Sequence, residues 1–90
     1  MIGSRRTDID VDEYYLLKPG EYMKGAGDRQ WWARTPVNAS FAQGAVANLE
    51  RHDVTEHEDG TITVSPSILV SAAPGQCWHG FLKRGVWSVA

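Results

Sequence analysis

The side chains with the clearest capacity for chemistry are three histidines, His52, His57 and His79, two of which lie close to carboxylates. Imidazole and carboxylate groups together can bind zinc or another transition metal. The spacing matches no common metal motif, and on a strand Glu56 and His57 point to opposite faces. We favour a solvated, acidic hairpin tip for residues 56–60, because charge runs are usually exposed. A metal site built from the three histidines is kept as an alternative.

Cys77, Ser65 and Ser67 are the candidate nucleophiles of this half of the chain. Cys77 and His79 are two residues apart, so on a strand they share a face. A thiolate dyad also needs an orienting third group and an oxyanion donor, and the sequence shows neither. The two serines flank Pro66 without the Gly-x-Ser-x-Gly motif of a hydrolase. No phosphate loop or dinucleotide motif is present. We therefore predict that the protein is not an enzyme and needs no cofactor.

The tryptophans offer a different kind of chemistry, since large aromatic side chains anchor protein interfaces. Trp31 and Trp32 are adjacent, so on a strand one points inward and the other outward. The outward ring either anchors a partner or is covered by the N-terminal segment or a helix. Both interpretations stay open. We take as candidate partner- or ligand-binding residues Trp31, Trp32, Trp78, His79 and Trp87.

Length and charge narrow the class of protein. The chain has 90 residues, a formal net charge of −2 and one cysteine. It is therefore expected to form a single small domain without an intrachain disulfide. The acidic balance, without a basic cluster, argues against nucleic-acid binding. No apolar run is long enough for a membrane span or an export signal. We expect residues 1–13 to be a flexible tail or an edge strand and residues 14–90 to be one β-rich domain.

Asp59-Gly60 lies between two alternating segments and predicts a β-hairpin. We favour a three-residue loop, Glu58-Asp59-Gly60, which pairs Val54 with Val64 and places Gly60 in the left-handed region. A two-residue loop is the alternative and would turn every side chain to the opposite face. Pro66 then interrupts the ladder, because proline has no N–H to donate.

The last hairpin is expected to close through another three-residue loop, Lys83-Arg84-Gly85. This register pairs Phe81 with Trp87 and Leu82 with Val86, which are favourable cross-strand pairs. It also places His79 on the face of Phe81 and Trp87. A histidine on an apolar face is more often a core residue than a ligand. Both faces of this hairpin carry apolar side chains and need to be covered.

One short helix near residues 40–50 is predicted from Ser40 and Gln43, which have the spacing of a capping box. Phe41, Ala45 and Leu49 follow at helical spacing. The fold class is therefore mainly β or β-rich α+β. We expect an antiparallel meander of about six to eight short strands, forming a small sandwich or roll.

Several segments resemble a family of small bacteriophage proteins of unknown function. They are WA-x-TP at residues 32–36, EHEDGTITVSPSI at residues 56–68, WHGFL at residues 78–82 and GVW at residues 85–87. The resemblance covers about two-thirds of the chain. It implies a phage origin and action in the host cytoplasm, and it implies no catalytic residue.

These observations lead to an expected function of protein binding. The chain is interpreted as a non-enzymatic phage accessory protein that binds a host or phage protein in host takeover or counter-defence. Self-association into a homo-oligomer is expected as well. The rival class is a protein that sequesters a small molecule or nucleotide in an aromatic pocket.

Overall fold

The computed structural model describes residues 1–90 as two four-stranded sheets. The first sheet contains β1 (Ser4–Arg5), β2 (Glu21–Lys24), β3 (Trp31–Arg34) and β4 (Val46–Asn48). The second contains β5 (Asp53–Glu56), β6 (Ile62–Ala73), β7 (Gln76–Lys83) and β8 (Val86–Val89). One 3-10 turn, Tyr14–Leu16, is the only helical element. The prediction of a β-rich fold is confirmed.

Strand order follows chain order in both sheets, and every pair is antiparallel except β1 with β2. The N-terminal segment connects the two sheets. Its first residues lie beside β8, where the Trp87 N–H donates to the Met1 carbonyl at 2.8 Å. It then continues along β2, where the Arg6 N–H donates to the Tyr22 carbonyl at 2.9 Å. The segment expected to be a tail or an edge strand therefore contains the edge strand β1.

The inner faces of the two sheets form one apolar core. Its strands contribute alternating side chains, as expected when one face of each sheet is buried. The buried members are Tyr22, Trp31, Ala33, Ala47, Leu49, Ile62, Val64, Ile68, Trp78, Leu82 and Trp87.

The hairpin of β5 and β6 has the predicted register. Val54 pairs with Val64, and the His57 N–H donates to the Thr61 carbonyl at 2.8 Å. Gly60 has a φ of +86°, the left-handed conformation that this loop requires. The ladder between β6 and β7 shifts between Val64 and Ile68, which confirms the expected interruption at Pro66.

The predicted register of the last hairpin is wrong by one residue. Leu82 pairs with Trp87, Phe81 with Ser88, and Lys83 with Val86. The loop has only two residues, because Arg84 and Gly85 have φ values of +46° and +75° and form a type I′ turn. A type I′ turn favours Asn or Asp at its first central position, so Arg84 gives no sequence signal for the two-residue loop.

The predicted helix near residues 40–50 is also wrong. Residues 46–48 form β4, with Ala47 paired to Ala33. The Asn38 side chain accepts the backbone N–H of Phe41 at 2.8 Å, so a local turn replaces the helix start. Gly44 has a φ of +70°, which a helix does not contain. Phe41 and Leu49 still pack on the core, as expected from their apolar character.

Gly80 allows the closest packing in the second sheet. A Cβ atom at this position would lie 2.2 Å from the Ser88 carbonyl oxygen and 2.5 Å from the Trp78 ring. The Trp78 indole thus lies directly over the backbone of its own strand. A glycine in the middle of a strand has this use when a ring approaches the backbone.

Gly80→Ala is expected to destabilise the protein by about 1–3 kcal/mol, because a methyl group would overpack the site. Gly27→Ala is the matched control, since a Cβ there would meet only the Gln30 Cβ at 3.8 Å. Urea denaturation followed by tryptophan fluorescence measures both changes. Equal stability of the two variants would contradict the close packing described for Gly80.

Candidate functional site

Three of the five candidate binding residues lie in the core. Trp31, Trp78 and Trp87 are 4%, 2% and 3% exposed. Trp78 and Trp87 pack edge to face, with ring centroids 5.4 Å apart. The buried Trp87 Nε1–H donates to the Gly20 carbonyl at 2.9 Å, which satisfies its polar atom. These rings hold the two sheets together and present little surface to a partner.

Trp32 points to the opposite face from Trp31, as alternation requires, and is half-buried. The Tyr14 ring stacks on it with a centroid distance of 3.9 Å and an interplanar angle of 8°. The Tyr15 ring meets Tyr14 edge to face at 6.2 Å. Of the two interpretations left open, the structure therefore shows the covered one, although the cover is the 3-10 turn Tyr14–Leu16 rather than residues 1–13 or a helix near residues 40–50.

His79 lies on the outer face of the second sheet and is exposed, which corrects the expectation of a core position. The one-residue error in the last hairpin explains the difference. Trp78, Gly80 and Leu82 face the core, so His79 and Phe81 face outward. The His79 Nε2 atom hydrogen-bonds the Ser67 hydroxyl at 2.9 Å.

The other two histidines occupy separate positions. The Nε2–H of His52 donates to the Ser67 carbonyl at 3.1 Å, and its Nδ1 atom is buried without a partner. His57 hydrogen-bonds the Thr63 hydroxyl at 2.6 Å. No group of three or more His, Cys, Asp or Glu side chains is placed to hold a metal ion. The structure does not bring the alternative metal ligands together.

Ser67 and His79 are the nearest arrangement to a nucleophile and its base. Their contact has the distance expected for such a pair. No carboxylate hydrogen-bonds the His79 ring, and Cys77 contributes no side-chain hydrogen bond to it. The third group that orients a catalytic imidazole is therefore missing.

The carboxylates of Asp59 in the hairpin loop and of Glu56 at the end of β5 are hydrogen-bonded to nearby residues. The Asp59 carboxylate accepts hydrogen bonds from the Thr61 hydroxyl at 2.6 Å and from the Thr61 N–H at 3.0 Å. These hydrogen bonds hold the pKa of Asp59 below its ordinary value. Glu56 accepts a hydrogen bond from Arg5 of β1, which lowers the pKa of its carboxyl. The acidic groups thus cap the loop and connect β5 to the first sheet.

The outer face of the second sheet carries a diagonal line of four apolar side chains, Ile2, Val86, Phe81 and Leu69, which we call the outer stripe. Ile2 pairs with Val86 across the edge of β8. On β7, Phe81 lies two residues before Lys83, and Lys83 pairs with Val86. Phe81 also lies two residues after His79, and His79 pairs with Leu69. It is therefore the diagonal neighbour of both Val86 and Leu69.

The members of the outer stripe are unusually accessible for apolar residues. Ile2, Leu69 and Val86 are 83%, 61% and 47% exposed. Phe81 is half-buried, with the Lys83 ammonium 5.3 Å from its ring centroid. Single exposed apolar residues are normal, whereas an aligned group of them marks an interaction surface.

Sequence reasoning missed the outer stripe. A two-residue loop for the last hairpin would have placed Phe81 and Val86 on the outer face together. The contact of Ile2 with Val86 spans almost the whole chain and has no local signal.

Two cavities adjoin the buried tryptophans. One of about 310 Å³ is apolar and is lined by Met1, Pro36, Trp78, Trp87, Ser88 and Val89. The other, of about 330 Å³, is lined mainly by polar residues, namely Asp28, Arg29, Trp31, His52, Asp53 and Val54. Both are near the lower end of the volumes that small-molecule sites have.

Comparisons with protein-family models, with curated proteins and with solved structures found no match. The protein contains no helix of the length and apolar character needed to span a membrane.

The ion pair of Glu56 with Arg5 predicts a pH dependence of stability. Because the folded-state pKa of Glu56 is lowered, its contribution is complete above the ordinary glutamate pKa of about 4.3. It is lost as the pH falls below that value through the folded pKa. Glu56→Gln should therefore reduce the loss of stability on acidification, by less than about 1 kcal/mol since the side chain is partly exposed.

Urea denaturation between pH 7 and pH 3 measures this effect. Glu58→Gln is the matched control in the same loop, because Glu58 forms no ion pair. Identical pH profiles for wild type and Glu56→Gln would show that the ion pair contributes nothing to folding.

Proposed function

We propose that the protein is a non-enzymatic phage accessory protein that binds a host or phage protein through the outer stripe. It would act in the host cytoplasm, in host takeover or counter-defence, as the resemblance to a phage family implies. The observation that carries the proposal is the alignment of Ile2, Val86, Phe81 and Leu69 on one exposed sheet face. An interface core needs apolar side chains of this kind, surrounded by polar groups.

The surroundings of the outer stripe support a protein partner. Thr55 lies on the same face on β5, and Ser88 lies beside Phe81 on β8. These hydroxyls provide hydrogen-bonding groups at the rim of an apolar centre. Lys83 and Arg84 form no ion pair within the chain. Their charges are thus free to meet carboxylates of a partner.

The test compares two double variants that remove equal numbers of exposed apolar side chains. Leu69→Ser with Val86→Ser changes the outer stripe, and Val11→Ser with Val37→Ser changes apolar residues of similar exposure elsewhere. Each protein is immobilised and exposed to a lysate of infected and uninfected host cells. A retained protein is then purified and its affinity for each variant is measured by calorimetry.

The outer-stripe variant is expected to bind its partner at least about tenfold more weakly, since truncating interface anchors costs over 1 kcal/mol each. The control variant should bind like the wild type. Thermal unfolding should be nearly unchanged in both, because the altered residues are exposed. Equal affinity of wild type and outer-stripe variant would refute the proposed surface.

Sequestration of a small molecule is a second candidate, favoured by the apolar cavity that Trp78 and Trp87 help to line. Its volume of about 310 Å³ suits one small apolar ring. Four of its six lining residues are hydrophobic and no lining side chain is charged, so it suits an apolar ligand better than a nucleotide. Native mass spectrometry of the purified protein tests this function, because a resident ligand would add a discrete mass that denaturation releases.

A further inference from the structure

The long strand β6 is covered on one side along only part of its length. Strand β5 pairs with it from Ile62 to Ser65, where Asp53 is the last partner. Strand β6 continues to Ala73, and β7 pairs with it on the other side from Val64 to Ala73, with register shifts between Val64 and Ile68 and between Ser71 and Ala73. The edge of β6 beyond Ser67 is therefore without a neighbouring strand.

The backbone of this uncovered edge has free hydrogen-bonding groups. The Ala90 N–H donates to the His79 carbonyl at 3.1 Å, so His79 directs its backbone groups toward β8. Trp78 and Gly80 consequently direct theirs toward Val70 and Ile68 of β6. The N–H and C=O groups of Leu69 and Ser71 then point away from β7, to the uncovered side. The Ser67 carbonyl points the same way, since it accepts the His52 ring N–H at 3.1 Å.

The chemistry of the uncovered edge distinguishes it from the other edges of the second sheet. Residues 68–73 contain no charged side chain. By contrast, β5 carries Asp53 and Glu56, and β8 is paired with the N-terminal segment through Trp87 and Met1. Charged residues and covering segments are the usual protection of an edge strand against pairing with another chain. Residues 69–71 have neither protection.

We propose that this uncovered edge of β6 pairs with the same edge of a second copy of the chain. A two-fold axis near Val70 would place Leu69 of each copy opposite Ser71 of the other. Each pair would exchange two backbone hydrogen bonds, and the two outward-facing pairs together would make about four. An uncharged strand meets its own copy without like-charge repulsion, which the carboxylates of β5 would cause.

The geometry also allows only two copies to pair through this edge. A two-fold contact uses the same patch on both chains and consumes it. The opposite edge of the sheet is occupied by the N-terminal segment, so it offers no equivalent strand for further growth. The two second sheets would form one continuous eight-stranded sheet, with both copies of Leu69 on its outer face. This self-pairing does not depend on the proposed partner protein.

Ser71→Lys tests the pairing, because it places two like charges next to each other at the contact. Ser88→Lys is the matched control, an exposed serine on the same sheet away from the β6 edge. Sedimentation velocity over a range of concentrations is expected to show a monomer–dimer equilibrium for wild type and Ser88→Lys. Ser71→Lys should dimerise at least about tenfold more weakly. An equimolar mixture of Ser71→Lys and Ser71→Glu should restore the dimer.

Two further measurements identify the edge itself. Ser71→Pro removes one of the free backbone N–H donors and should weaken dimerisation as strongly as the lysine variant. In hydrogen exchange, the amides of Leu69 and Ser71 should become protected as the concentration rises. A wild type that stays monomeric at millimolar concentration would overturn the proposal. So would a dimer that Ser71→Lys and Ser71→Pro leave intact, or equal weakening by the Ser88→Lys control.

Discussion

The structure depends on satisfying one buried polar atom, the indole N–H of Trp87. This donor reaches the Gly20 carbonyl at the start of β2 and so ties the last strand of the second sheet to the first sheet. A buried indole without a partner would cost about 1–3 kcal/mol, so the two sheets have one favourable relative position. Within the second sheet, Trp87 also packs edge to face on Trp78, and the Trp78 ring lies close to Gly80.

The burial of Trp87 shows that the aromatic residues of this chain serve mainly to build the core. In a chain of 90 residues, a small core needs large side chains, because little surface is buried per residue. Trp31, Trp78 and Trp87 supply that core, and Trp32 is occupied by its stack with Tyr14. The surfaces proposed for partners are consequently formed by aliphatic residues, by Phe81 and by backbone. Aromatic excess in a small domain is thus first a sign of core construction and only second a sign of an interface.

Local turn chemistry decided how much of the fold could be predicted. The loop at Gly60 is a common type and its register was predictable from matched flanking residues. The type I′ turn at Arg84 was not, because arginine rarely adopts a positive φ. The resulting slip placed His79 and Trp87 on one face, whereas they lie on opposite faces of the sheet. The segment before β4 contains residues typical of a helix start. Tertiary pairing with β3 and the positive φ of Gly44 override that preference. The outer stripe depends on the slipped register and on a contact between Ile2 and Val86, so it was beyond local reasoning.

The crossing of the N-terminal segment from β8 to β2 has a consequence for the order of events in folding. Met1 finds its hydrogen-bond partner 86 residues later in the chain, at Trp87. The backbone hydrogen bonds of Met1 and Gly3 with residues 85–87 therefore join opposite ends of this sequence. Contacts of such long sequence separation slow folding, because a large loop must close before any stabilisation is gained. The hairpins join strands that are close in sequence, so we expect the contact of the N-terminal segment with β8 to form after them.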